Sequence, residues 1–211
     1  MTITRDDVLI WIKDYARVVE ENHIMLTNLD REIGDADHGA NMRRGFKVVL
    51  EKLSSVEEKD IGAILKSVGM TLLSKVGGAA GPLYSTIFMK AGNTIGAKME
   101  MEVGDWAQAL DAGINGIAVL GKAQPNDKTM LDALYPALDA LKTAINNGSS
   151  CGEALQKSAE AAHDGMLATI PLVARKGRAS YLGERSAGHQ DPGATSTYLL
   201  IKSAADVWAD C

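Results

Sequence analysis

Apolar residues recur at helical spacing along almost the whole 211-residue chain, and no segment sustains a two-residue alternation rich in β-branched side chains. That pattern predicts helices and no strands. Thr4 and Asp7 form a capping pair, after which Val8, Trp11, Ile12, Tyr15, Val18 and Val19 mark a first helix to about Asn22. Met42, Phe46, Val49, Leu50 and Leu53 mark a second, and Ile61, Ile64, Leu65, Val68, Leu72 and Val76 a third. A fourth runs from Leu83 to about Gly96, and a fifth carries Trp106, Leu110, Ile114, Ile117 and Leu120. Leu131 to Ile145 gives a sixth with Pro136 as an expected kink, Ala154 to Ile170 a seventh bent near Pro171, and Pro192 to Trp208 an eighth. About eight helices with mostly short connections imply antiparallel neighbours in one all-α bundle spanning 1–211.

A net charge of -5 and a pI near 5.4 argue against nucleic acid as a partner. Cys151 and Cys211 are the two cysteines, far apart in sequence, which fits free thiols in a reducing compartment. The segment from Met1 to Asp7 lacks a signal-peptide pattern, and no apolar run approaches the ~18 residues of a membrane span. The expectation is a cytoplasmic protein with no membrane partner.

Between the first two helices lies Leu29-Asp30-Arg31-Glu32-Ile33-Gly34-Asp35-Ala36-Asp37-His38-Gly39-Ala40-Asn41. Gly34 and Gly39 favour a turn, and in an extended turn Asp35 and Asp37 point the same way. With Asp30 folded back, three carboxylates converge on what a hard divalent cation prefers. The same residues fit a solvated acidic turn with Asp37 as a helix N-cap. An EF-hand is excluded, because Phe46 stands where the twelfth-position Glu would be. His38 suits a hydrogen bond to phosphate or hydroxyl better than Mg²⁺ ligation, and Asn41 lies within reach on the same helix end.

Two further stretches could face an anion. Gly77-Gly78-Ala79-Ala80-Gly81-Pro82 frees backbone N–H groups at a helix start, although on these residues alone a tight helix–helix turn is the slightly better explanation. Arg175, Lys176, Arg178 and Arg185 crowd one long aperiodic connection that ends in Gly188-His189-Gln190-Asp191-Pro192-Gly193, with Asp191 placed as an N-cap and Pro192 at N1. Gly116 to Lys122 imitates the front of a P-loop. Ala123 in place of Ser/Thr, the absence of a preceding strand and helical core periodicity reject it.

Together, the run Asp30 to Asn41, Gly77 to Pro82, Gly121-Lys122-Ala123 with Asp127-Lys128-Thr129-Met130, and Gly177 to Arg185 through His189 to Ala194 resemble the nucleotide-binding L subunit of dihydroxyacetone kinase over nearly the whole chain. The resemblance implies a closed barrel of eight antiparallel helices with the nucleotide at one end. It implies that Asp30, Asp35 and Asp37 hold two Mg²⁺ ions against the phosphates of a tightly bound ADP or ATP. His38, Gly39, Ala40, Asn41, Ala79, Ala80, Gly121, Met130, Arg178, Asp191, Pro192 and Gly193 would line the nucleotide. No acid or base is identified; Asp30, Asp35, Asp37, His38 and Arg178 would support phosphoryl transfer by position and charge. In one departure, Ala80 stands where a serine is frequent in the family.

A free-standing L subunit resembles the phosphotransferase-system form of this kinase. That implies a K subunit carrying dihydroxyacetone and a phosphohistidine M subunit as partners, with a homodimer also open. The alternatives are a subunit of an ATP-dependent dihydroxyacetone or related sugar kinase, a Mg-dependent nucleotide or phosphate hydrolase, and a non-catalytic nucleotide sensor.

Overall fold

The computed structural model describes residues 2–211. Among them are eight α-helices: α1 (Arg5–Ile33), α2 (His38–Leu53), α3 (Ile61–Lys75), α4 (Ala80–Ile95), α5 (Val103–Gly121), α6 (Leu131–Asn146), α7 (Cys151–Ala168) and α8 (Pro192–Val207). A 3₁₀ segment, Arg178–Ser186, lies in the last long connection. Each helix packs on its neighbour in sequence, and α8 packs back on α1. The bundle is therefore a closed ring of helices.

The core fills this ring. Trp11, Trp106 and Trp208, from α1, α5 and the end of α8, meet with ring centroids 5.0–5.3 Å apart. Their large apolar faces are buried while the indole N–H groups of Trp11 and Trp208 reach the carbonyls of Leu200 and Asp7. Thr4 and Asp7 form the reciprocal capping box that their spacing predicts.

Four features differ from the sequence expectations. α1 continues past Asn22 to Ile33, because Leu26, Asp30 and Ile33 share one buried stripe three and four residues apart. A polar run, Glu20 to His23, had masked that continuation. A minimal antiparallel pair, β1 (Ile3–Thr4) with β2 (Glu100–Met101), joins the chain start to the α4–α5 connection. Two residues are too few for any alternation to register. α7 stops at Ala168, and Thr169 to Pro171 already belong to the turn after it.

The fourth difference concerns the thiols. Cys151 opens α7 and Cys211 follows α8, and the two are joined in a disulfide with Cα atoms 5.5 Å apart. Sixty residues of separation hide that α7 and α8 are packed neighbours. The free-thiol argument for a reducing compartment is thereby removed. In the chain-entropy picture, closing that loop restricts the unfolded chain by at most roughly 4 kcal/mol. Reduction with dithiothreitol is expected to lower the urea midpoint of unfolding without altering the far end of the ring. An identical midpoint in both redox states would refute a stabilising bond.

The up-and-down order has a functional consequence. The C-terminal ends of α1, α3, α5 and α7 and the N-terminal starts of α2, α4, α6 and α8 lie at one end of the ring, with the disulfide at the other. Helix starts carry partial positive charge and unpaired N–H groups. One end of the ring is thus suited to an anion.

Candidate functional site

The acidic stretch is shaped by Asp30. It sits buried in the last turn of α1, and its Oδ2 accepts the backbone N–H groups of Asp37 (2.8 Å) and His38 (3.1 Å). Asp30 therefore caps α2 from outside. Asp37 occupies the N-cap position but makes no side-chain cap bond, so its carboxylate is left for the cluster. The turn is tighter than extended, since Ala36 takes the left-handed backbone at φ 61°. Oxygens of Asp30, Asp35 and Asp37 come within 4.8 Å of one another. A Cβ on Gly34 would collide with Asp30 Oδ1, so that glycine is required for the close approach.

Three carboxylates this close repel one another, and the counter-charge facing them is one guanidinium, Arg178 Nη2, 2.9 Å from Asp35 Oδ2. Both partners are exposed enough for this pair to contribute little, so it can give way to a stronger competitor. Hard oxygen donors in this number suit Mg²⁺, which commonly takes a few carboxylates and completes its shell with phosphate oxygens and water.

These groups open onto a cavity of about 330 Å³. Its polar wall combines the three aspartates and His38 with Gly77 to Ala80 at the start of α4, Lys176 to Arg178, and Asp191 to Gly193 at the start of α8. α4 has no side-chain cap, and Gly78 adopts φ 64°, leaving its first N–H groups for the cavity. The other wall is apolar, built from Leu83, Ile117, Gly121, Ala123, Met130 and Leu131. A charged end beside an apolar slot fits a ligand with a phosphate tail and a flat ring.

Of the residues singled out by sequence, Asp30, Asp35, Asp37, His38, Ala79, Ala80, Gly121, Met130, Arg178, Asp191, Pro192 and Gly193 line this cavity. Gly39, Ala40 and Asn41 are not part of the lining. Gly39 is buried against the His23 carbonyl in α1, so it serves a close helix crossing rather than a turn. Asn41 lies behind the glycine loop, accepting Arg44 Nη2 at 2.6 Å through Oδ1. Gly116 to Gly121 are the last turns of α5, which completes the case against a P-loop. Ile33, Leu83, Ile117 and Leu131 had been read as core alone or not at all, because a residue at a helix end keeps core periodicity while facing a ligand. Lys128 and Thr129 carried no periodic signal.

His38 is half-buried, and desolvation lowers its imidazole pKa against the opposing pull of Asp30 and Asp37. Its Nε2 lies 2.8 Å from Ser196 Oγ, which accepts from the Tyr84 hydroxyl and donates to the Gly193 carbonyl. With that serine proton committed, Nε2 is the donor and Nδ1 keeps its lone pair. Asp191 is buried; desolvation foremost raises its carboxyl to about 7, with Asp132 and Asp30 adding and the Ala194 N–H and Lys128 opposing. Because the folded state holds this proton more tightly than the unfolded chain, the contribution of Asp191 to stability falls as pH rises from about 4 to 7. Carbon-detected NMR is expected to place the Asp191 carboxyl midpoint near neutrality; an ordinary midpoint near ~4 would contradict its burial.

A protein-family model described as the DAK2 domain matches residues 32–206. The chain belongs to the DAK2-domain family. This DAK2 domain is 45% identical over 205 residues to the ADP-binding subunit DhaL of the PEP-dependent dihydroxyacetone kinase of Escherichia coli K12, covering 97% of this chain and 98% of that protein. It is 40% identical to the ADP-binding subunit DhaL of the PTS-dependent kinase of Lactococcus lactis, covering 98% and 100%. Among solved structures it resembles the C. freundii dihydroxyacetone kinase crystallised with AMP-PNP and Mg²⁺, at 25% identity and a TM-score of 0.73. That match covers 94% of the DAK2 domain here and 33% of the larger kinase chain. Among the described residues, no helix is long and apolar enough to cross a membrane.

Proposed function

We propose that this chain is the ADP-binding subunit of a phosphoenolpyruvate-dependent dihydroxyacetone kinase, a phosphotransferase. It carries the nucleotide through which a phosphoryl group passes from a phosphohistidine M subunit to dihydroxyacetone on a K subunit. The observation that carries this reading is the convergence of three carboxylates, an uncapped α4 start and Arg178 on one cavity with an apolar slot. Near-full-length similarity to ADP-binding subunits supports it.

Asp30, Asp35 and Asp37 would hold Mg²⁺, two ions in the family reading. When bound, the metal neutralises phosphate charge and orients the oxygens for in-line transfer. The chain's own residues do the rest by position. Backbone N–H groups at Ala79, Ala80 and Gly193 face the anion, Arg178 exchanges Asp35 for phosphate, and neutral His38 is held in one tautomer by Ser196. Gly121 and Met130 border the base. Gly39, Ala40 and Asn41 act from the first turn of α2, Asn41 from beside Gly77, where an added Cβ would stand 3.1 Å from its Oδ1. Residues 1–211 work as one nucleotide-binding unit, a reading supported by the single large core that runs through all eight helices.

Reconstitution tests the assignment. Mixed with K and M subunits, the chain is expected to give dihydroxyacetone phosphate from phosphoenolpyruvate with catalytic ADP. Turnover from ATP that ignores the M subunit would favour the ATP-dependent alternative, and phosphate release without dihydroxyacetone would favour a hydrolase.

A further inference from the structure

Lys128 is buried at the centre of the turn between α5 and α6, with its backbone in the left-handed region at φ 62°. Its ammonium reaches no carboxylate. Nζ lies among five backbone carbonyl oxygens: Thr169 at 2.9 Å, Ile170 at 3.4 Å, Leu172 at 3.1 Å, Ser186 at 2.8 Å and His189 at 2.5 Å. An ammonium has three protons, so five oxygens share one charge rather than one bond each. Carbonyl rings of this kind replace the hydration shell of a monovalent cation.

The five carbonyls come from both ends of the connection between α7 and α8, the segment that carries Arg178. Other bonds close the same segment. Arg175 N–H donates to the Asp127 carbonyl at 3.0 Å, Gly188 N–H to that of Ile170 at 2.8 Å, and Ala174 N–H to Ser186 Oγ at 2.8 Å. The Asp191 N–H reaches Thr169 Oγ1 at 3.0 Å, tying the start of α8 to the same turn. The Thr169 and Ile170 carbonyls also accept the Leu172 and Gly188 N–H groups, but without a cation at the centre those of Leu172, Ser186 and His189 would point at one another in a buried space.

We propose that Lys128 fills a monovalent-cation site with its own ammonium, and is thereby a positioning residue that holds the basic loop and the start of α8 against the cavity. With Nζ turned to the carbonyls, it acts on the cavity it also lines through Arg178 and Asp191 to Gly193. That consequence for nucleotide rests on the function proposed above; the cation site itself does not.

The test uses the full chain with Lys128→Met, which keeps length and removes charge, and Lys128→Ala, which empties the ring. Lys128→Met is expected to weaken ADP binding by at least about tenfold. Amide hydrogen exchange should speed up across residues 170–190 while α3 and α4 keep their protection. In Lys128→Ala, potassium or ammonium chloride should restore slow exchange and ADP binding, whereas choline chloride at equal ionic strength should not. Equal effects of the three salts, or unchanged exchange in Lys128→Met, would overturn the proposal. Should neither variant fold, lysine-selective ¹⁵N NMR of the unmodified protein decides. One ammonium with proton exchange far slower than the rest is expected, and none of that kind would overturn it. Exchange and NMR are read without nucleotide, so failure of the unmodified protein to bind ADP would count against the proposed function alone.

Discussion

Asp35→Ala is expected to leave the helical ring intact and to abolish retention of Mg-nucleotide. Asp35 is the cleanest of the three carboxylates to remove, because its side chain is exposed and pairs with Arg178 alone. Asp30, by contrast, also accepts the first two N–H groups of α2, so its loss would disturb the fold as well as the site. A ligand present at a hundred to a thousand times its Kd stabilises the folded state by roughly 3–4 kcal/mol. For a chain of this length that corresponds to a fall in Tm of roughly 5–15 °C when the ligand is lost. Thermal melts with and without added Mg-ADP separate the effects. The unmodified protein should gain stability on addition and Asp35→Ala should not. An equal gain in both would remove Asp35 from the metal site.

Gly39→Ala should have a larger effect on folding than substitution of an exposed cavity residue such as Asp35 or Arg178. A Cβ at Gly39 would overlap the His23 carbonyl and stand 2.6 Å from Thr27 Oγ1 and 2.8 Å from Thr27 N, and two of those three atoms are backbone. α1 and α2 would have to separate where the acidic turn joins them, at a cost of roughly 3 kcal/mol or more. Gly104→Ala is the control, since a Cβ there meets nothing within 4 Å and helix propensity favours alanine. Urea unfolding should place Gly39→Ala well below the parent and Gly104→Ala at or slightly above it. Similar midpoints for the two variants would contradict the close crossing.

Helical periodicity made the ring legible because each helix buries one continuous stripe, and short connections imposed the up-and-down order. It failed where the signal is not periodic. The last third of α1 was missed because a polar run precedes Leu26, Asp30 and Ile33. The disulfide depends on a packing neighbour sixty residues away. In the site, charge clustering pointed to Asp30, Asp35, Asp37 and Arg178, while most of the assignment to nucleotide came from family resemblance rather than spacing. The apolar slot was hidden because Ile117 and Leu83 read as core. Lys128 stands in the Asp127 to Met130 stretch of the family resemblance, but its role could not be read from sequence, since its partners are backbone carbonyls that any residue supplies.

The central claim is that this ring of helices carries Mg-nucleotide at the end where the aspartates meet Arg178. Native mass spectrometry of the purified chain tests it directly. The account predicts a dominant species with the mass of the chain plus one ADP and bound Mg²⁺, reduced to the bare chain by Asp35→Ala. A bare chain before and after incubation with excess Mg-ADP would contradict it.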